Sequence, residues 1–101
     1  MFSNLKYKIR NPINDKEFSH YFQLRWEVLR KPLGKNMESI KDEFEKDSFH
    51  LIAITKDKKI IGVGRLHYTD YNSCQIRYMA VDSKYRGNRI GRNILSELIK
   101  E

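Results

Sequence analysis

The sequence is poor in cysteine and proline, with one and two residues respectively among 101, and it lacks a long apolar run. Because Cys74 has no second cysteine to pair with, an intrachain disulfide is excluded, and no cysteine-based metal site is visible. A membrane helix needs about 20 mostly apolar residues, and the segment MFSNLKYKIR has no apolar core of signal-peptide length. We therefore expect a cytoplasmic protein with no membrane partner.

Acidic residues are also scarce, since 13 acidic against 20 basic side chains give a formal net charge of +7. This excess favours phosphorylated ligands or polyanionic partners and says nothing about the fold. An apolar content of 40% with 12% aromatic residues is typical of a folded domain. The histidines His20, His50 and His67 show no metal-ligand spacing, so no metal is predicted.

The spacing of apolar residues predicts the element order β-α-α-β-β-β-α. Asn14 and Glu17 form an N-cap and N3 pair that starts the first helix, and Pro32 with Gly34 ends it. The other predicted elements are strands over residues 5–9, 49–55, 60–68 and 74–81, a short helix over roughly 40–47, and a final helix from about residue 90.

Two further patterns have an ordinary structural explanation. The acidic residues between Glu38 and Asp47 are most simply a solvated helix face, and the alternative is a surface that attracts a cationic amine. A dinucleotide-binding motif that began at Gly62 and Gly64 would need a third glycine at position 67, where His67 stands, and a helix after it. We expect them to mark a bulge or a close backbone approach instead.

Residues 76–95, IRYMAVDSKYRGNRIGRNIL, form the most informative segment. An apolar strand runs into a loop that contains Gly87 and opens, just before Gly91, into an amphipathic helix. Free N–H groups and the positive end of the helix dipole favour an anion at such a helix start. Four basic residues with no acid among them add positive charge: Lys84, Arg86, Arg89 and Arg92. The segment predicts a pyrophosphate cradle, and the alternative is a solvated basic turn.

At these residues the sequence resembles the GNAT superfamily of acetyl-CoA-dependent N-acetyltransferases. The family pattern Arg/Gln-x-x-Gly-x-Gly/Ala stands here as RGNRIG at residues 86–91, after MAVD at residues 79–82. Arg89 occupies the position of the first motif glycine, where it either resists a left-handed backbone or supplies charge to a phosphate. The resemblance implies that acetyl-CoA is held by Met79, Ala80, Val81, Arg86, Gly87, Asn88, Arg89, Ile90, Gly91 and Arg92.

The resemblance also implies an α/β (α+β) fold with a mixed, mostly antiparallel sheet flanked by helices. Residues 1–101 would form one partial domain of this type, without the C-terminal third of the family fold. The open edge of the fourth strand would then pair with a second copy, as a homodimer, or with a missing C-terminal segment. The implied reaction transfers acetyl from acetyl-CoA to a primary amine of a small molecule or protein.

No catalytic residue is predicted. Family members often place a glutamate base on the fourth strand, where this chain offers Gln75, Arg77 and Tyr78. A non-catalytic acyl-CoA-binding remnant is therefore one alternative. A small basic nucleic-acid-binding module is another, suggested by the net charge and scattered tyrosines, but the charge is spread along the chain and no recognised nucleic-acid motif appears.

Overall fold

In a computed structural model, the protein is described over residues 6–37, 41–69 and 73–100. The strands within these ranges form one sheet in the order β1-β2-β3-β4, and each neighbouring pair is antiparallel. Short 3-10 turns lie at Lys31–Leu33, Glu45–Asp47 and Ser83–Tyr85. The strands and α-helices are, in chain order, β1 (Tyr7–Arg10), α1 (Asp15–Leu29), β2 (Ser48–Thr55), β3 (Ile60–Tyr68), β4 (Cys74–Val81) and α2 (Ile90–Ile99).

The fold class is confirmed, and several boundaries agree with the sequence pattern. β3 and β4 match the predicted strands residue for residue, and α2 begins at Ile90. The predicted cap of α1 is also confirmed, because the side chain of Asn14 accepts a 2.8 Å hydrogen bond from the Glu17 N–H. The start of the predicted first strand at Leu5 lies outside the described residues.

The prediction of a second helix over 40–47 is wrong in the part that the structure describes. Residues 41–44 are non-helical, and only the single 3-10 turn Glu45–Asp47 follows. The Asp42 N–H donates to the Glu45 carboxylate, and the Phe44 N–H donates to the Asp42 carboxylate, both at 2.9 Å. These side-chain bonds offer the backbone an alternative to helical hydrogen bonds. Residues 38–40 lie outside the described ranges.

The two described helices cover opposite faces of the sheet. α1 packs on one face through Tyr21 and Leu24, which join a buried cluster with side chains of β2, β3 and β4. α2 packs on the other face, where Ile90, Ile94 and Leu98 are at most 2% exposed. The amphipathic spacing of each helix therefore positions it against the sheet.

The glycines of β3 allow α2 to approach the sheet closely. A Cβ atom on Gly62 would lie 2.7 Å from Ile90 Cγ2, and one on Gly64 would lie 2.7 Å from Ile94 Cγ2 and 2.7 Å from Met79 Sδ. Side chains at these positions would push α2 off the sheet. The expected close approach at Gly62 and Gly64 is confirmed.

Candidate functional site: the loop between β4 and α2

The segment after β4 is fixed at its start by Asp82. The Asp82 N–H donates to the Ile61 carbonyl at 2.9 Å, which extends the contact between β3 and β4 by one residue. The Asp82 side chain accepts from the Lys84 N–H at 3.0 Å and so caps the 3-10 turn Ser83–Tyr85. The chain leaves the sheet in a defined direction as a result.

Two left-handed residues then turn the chain into α2. Gly87 has φ +87°, and Arg89 has φ +61° with ψ 22°. Between them, Asn88 donates from its side-chain Nδ2 to the Tyr85 carbonyl at 2.8 Å. Arg89 therefore adopts the left-handed backbone geometry that glycine accepts most easily.

The first turn of α2 presents its amides without a competing side chain. No side chain in the described part of the chain caps this helix, and its first turn holds no acidic residue. The N–H groups of Ile90, Gly91 and Arg92 precede the first intrahelical bond, which the Asn93 N–H donates to the Arg89 carbonyl. These amides and the helix dipole are suited to a phosphate oxygen.

A cleft of about 330 Å³ opens in front of this turn. It brings together six of the ten predicted site residues and one residue, Tyr85, that was not predicted. The lining residues are Val81, Tyr85, Arg86, Gly87, Arg89, Ile90 and Gly91.

The other predicted residues lie around the cleft. Met79 is half-buried against the α2 face of the core, and Ala80 is buried on the α1 face. Arg92 is exposed on the first turn of α2, whereas the Asn88 side chain is committed to Tyr85. Their role in holding a coenzyme stays a prediction.

The positive charge around the cleft is solvent-accessible. Lys84, Arg86, Arg89 and Arg92 are all exposed. None of the four forms an ion pair with a carboxylate in the described ranges. These side chains can therefore contribute their charge to a bound anion.

Sequence reasoning missed a buried polar network on the opposite face, beneath α1. Arg65 on β3 has a side chain with no exposure, and its Nη1 lies 2.6 Å from Asp42 Oδ1 and 2.9 Å from Glu45 Oε2. Arg25 on α1 is equally buried and pairs with Glu45 at 3.0 Å. The Tyr78 hydroxyl donates to Asp42 Oδ2 at 3.2 Å. The acidic residues Asp42 and Glu45 are thus half-buried and paired with arginines, and they do not form a solvated helix face.

Ion pairing makes Asp42 a poor general base. The hydrogen bond from Arg65 holds the pKa of the Asp42 carboxyl well below its usual range. One sequence signal for the network was present, because Arg25 falls on the otherwise apolar stripe of α1. Nothing in the local sequence marked Arg65.

His50 is held in a single hydrogen-bonded state within the same face. Its Nε2 lies 2.6 Å from the Glu45 carbonyl, which can only accept, so Nε2 carries the proton and donates. Its Nδ1 then accepts from the Tyr21 hydroxyl at 2.7 Å. Burial lowers the pKa of His50, and the hydrogen bond to the Glu45 carbonyl offsets only part of this decrease. The imidazole is neutral at pH 7 and both of its nitrogens are engaged.

The described residues hold neither a metal-ligating cluster nor a membrane-spanning helix. Those residues contain no group of three or more histidine, cysteine, aspartate or glutamate side chains placed to hold a metal ion. They also contain no helix with the length and apolar character needed to cross a bilayer.

The fold and site together define the class of protein. It is an α/β protein with an antiparallel sheet. A basic loop with two left-handed residues follows β4 and leads into the start of α2. Residues 13–101 match the family described as Acetyltransferase (GNAT) family. The chain belongs to the GNAT acetyltransferase family, which confirms the resemblance.

Solved structures share this fold at low sequence identity. A GNAT-family acetyltransferase from Staphylococcus aureus Mu50 is 19% identical with a TM-score of 0.75, and the match covers 94% of this chain and 65% of that protein. Glucosamine-6-phosphate N-acetyltransferase from Arabidopsis thaliana is 18% identical with a TM-score of 0.66, covering 94% and 73%. An aminoglycoside 6′-N-acetyltransferase solved with coenzyme A is 16% identical with a TM-score of 0.71, covering 95% and 54%. The chain thus spans about two thirds of the Staphylococcus protein.

Proposed function

We propose that the protein transfers an acetyl group from acetyl-CoA to a primary amine of a small molecule or protein. The observation that carries this proposal is the start of α2, which no side chain of the described residues caps and which faces a cleft lined by Arg86 and Arg89. A pyrophosphate needs backbone donors and positive charge at one place, and this loop provides both. Family membership supports the reaction type, and a neighbour that was solved with coenzyme A supports the donor.

The chain's own groups suggest how the transfer would be assisted. The acetyl thioester of the bound coenzyme supplies the reactive carbonyl. The strand end at Met79–Val81 leads into the cradle, so its backbone groups would align the pantetheine arm and an N–H there would polarise the carbonyl. The attacking amine must be neutral, and Asp42 is too weak a base to deprotonate it because Arg65 stabilises its charged form.

Coenzyme binding is tested by Gly91→Glu. The new carboxylate would stand among the first-turn amides and repel a phosphate, so we expect at least a tenfold loss of CoA affinity in isothermal titration calorimetry. Ser96→Glu is the matched control, because it adds the same charge on the exposed surface of the same helix, beyond its first turn. Both variants should keep the wild-type circular dichroism spectrum. Unchanged CoA affinity in Gly91→Glu would remove the cradle from the proposal.

The alternative, a non-catalytic acyl-CoA-binding remnant, is separated by a second measurement on the wild-type chain. Acetyl transfer to a panel of amines is assayed beside CoA calorimetry. Turnover supports the transferase, whereas CoA binding without turnover on any amine favours the remnant. The absence of both binding and turnover would count against each function.

A further inference from the structure

Four arginine side chains surround the ring of Tyr78, and the proposed coenzyme site uses none of them. Their guanidinium carbons lie 3.7, 4.7, 5.2 and 5.8 Å from the ring centroid. They come from α1, the residue that ends it, β3 and β4, so the fold brings together groups distant in sequence. In order of increasing distance from the ring, the members of this arginine cluster are Arg25 on α1, Arg65 on β3, Arg77 on β4 and Arg30 at the end of α1.

The cluster carries more positive charge than the described carboxylates balance. Asp42 and Glu45 pair with the two buried members, Arg65 and Arg25. The other two, Arg30 and Arg77, form no ion pair in the described ranges, which leaves four positive against two negative charges there. Like charges repel at these separations, and a bound anion would offset the repulsion.

Arg65 adds hydrogen-bonding capacity to this charge. Its side chain is fully buried, yet Nε and Nη2 have no hydrogen-bond partner within the described part of the chain. Buried guanidinium donors are normally satisfied, and an unsatisfied donor is costly. At the outer side of the cluster, Arg77 is exposed and Arg30 is half-buried, so an anion can reach these two arginines from solvent.

The cluster stands next to the strand end that leads to the cradle. β4 has a bulge at this point, because Val63 pairs with Ala80 and Arg65 pairs with Arg77, which leaves two residues of β4 opposite one of β3. Tyr78 has φ +58° in the bulge and directly precedes Met79, the first residue of the proposed pantetheine segment. An anion bound here would lie near the position where the acyl group is transferred.

We infer that the arginine cluster binds a negatively charged group, a carboxylate or a phosphate, carried by the acceptor amine. Guanidinium groups bind both anions through paired N–H donors, and this geometry distinguishes them from point charges. The inference rests on the proposed transferase function and specifies the class of acceptor. It speaks against the alternative reading in which the acids between Glu38 and Asp47 attract a cationic amine, because Asp42 and Glu45 are already engaged by arginines.

The test uses amine probes that differ only in the anionic group. Phosphoethanolamine is compared with ethanolamine, and glycine with glycinamide, by NMR titration of the ¹⁵N-labelled chain at constant pH and ionic strength. We expect the anionic member of at least one pair to bind tenfold or more tightly, with shifts at the amides of Arg77 and Tyr78. The pair that shows the preference distinguishes phosphate from carboxylate. Equal binding within both pairs would overturn the inference.

Substitutions of the accessible arginines test whether the preference for the anionic probe comes from the arginine cluster. Arg30→Gln with Arg77→Gln removes the two accessible charges and leaves the buried ion pairs intact, so we expect the preference to fall below threefold. The control is Lys16→Gln with Lys56→Gln, which removes two exposed charges elsewhere and should keep the full preference. If the double variant does not fold, Arg77→Gln alone serves, because this side chain is exposed. A preference that persists without these arginines would assign the anion to another site and overturn the inference.

CoA calorimetry on the same samples separates this inference from the proposed function. CoA binding without an anionic preference would overturn the acceptor class alone and leave the transferase proposal in place. Anion binding by a chain that does not bind CoA would refute the assignment to an acceptor. Anion preference together with CoA binding supports both.

Discussion

At the scale of single residues, Arg89 is the clearest departure from the family pattern. Its φ of +61° places a β-carbon in a conformation that costs about 1–2 kcal/mol for a residue other than glycine. The strain lies at the residue that leads into α2, next to the cleft. In the proposed site the Arg89 guanidinium would supply charge to a phosphate, and strained backbone of this kind is concentrated at functional sites.

We predict that Arg89→Gly raises the free energy of unfolding by about 1 kcal/mol, because glycine adopts this geometry without strain. Urea denaturation followed by circular dichroism measures the change. Arg86→Gly is the matched control: it removes the same charge three residues earlier, from an extended backbone with φ −63° and ψ 151°. There glycine only adds freedom to the unfolded chain, so a loss of about 0.5–1 kcal/mol is expected. Equal effects of the two substitutions would show that Arg89 is not strained.

At the scale of elements, the position of α2 depends on two glycines of β3, which have no side chain. Gly62 and Gly64 bring the helix close to the sheet, and Ile90, Ile94 and Leu98 fill the space between them. Since Ile90 is both a core residue and the first residue of α2, the packing of this helix also sets where its amides open. The packing of α2 on the sheet therefore determines both the core and the position of the proposed cradle.

We predict that Gly64→Ala destabilises the protein by about 1–3 kcal/mol, because the new methyl group would overlap Ile94 and Met79. Gly91→Ala is the control, since its Cβ would lie 3.5 Å from Val81 Cγ2, an ordinary contact. Alanine is also the better helix former, so this substitution should be neutral or stabilising by up to about 1 kcal/mol. Thermal or urea unfolding measures both. A tolerated Gly64→Ala would contradict the close approach of α2.

At the scale of the whole molecule, three titrating groups give stability the same dependence on pH. The hydrogen bond from Arg10 lowers the pKa of Glu17 from 4.5 to about 2, and that from Arg65 lowers the pKa of Asp42. Burial lowers the pKa of His50 from 6.5. Each folded-state value lies below the unfolded one, so the unfolded chain binds more protons as the pH falls.

We predict that stability is greatest above pH 6.5 and falls on acidification in two stages. His50 contributes the first loss as the pH drops below 6.5, and Glu17 with Asp42 contribute the second below about pH 4.5. Urea unfolding midpoints between pH 8 and pH 2.5 measure this profile. Glu17→Gln should be less stable than wild type at pH 7 and should show a shallower decline below pH 4.5. A variant profile parallel to that of the wild type would exclude Glu17 as a contributor.

Sequence patterns predicted the elements that depend on local rules. The cap of α1 is a bond between residues three apart, and β3 and β4 are bounded by turn residues, so neither needs distant contacts to be recognised. The predicted helix over 40–47 was wrong in its described part because Asp42 and Glu45 pair with Arg65, twenty-three and twenty residues away. Tyr78 and its left-handed backbone were unforeseen for the same reason, since a bulge is a property of two strands.

The sequence by itself determined the fold class, the strand–loop–helix order at residues 74–99 and the residues of the proposed cradle, because periodicity, glycine and charge act over short stretches of chain. Only the tertiary structure decided that Asp42 and Glu45 turn inward, that Arg89 is left-handed and that four arginines meet at Tyr78. Those arrangements arise when sheet pairing brings together side chains from α1, β3 and β4. The energy of a buried charge depends on the distance to its charged partners, and a linear sequence does not contain that distance.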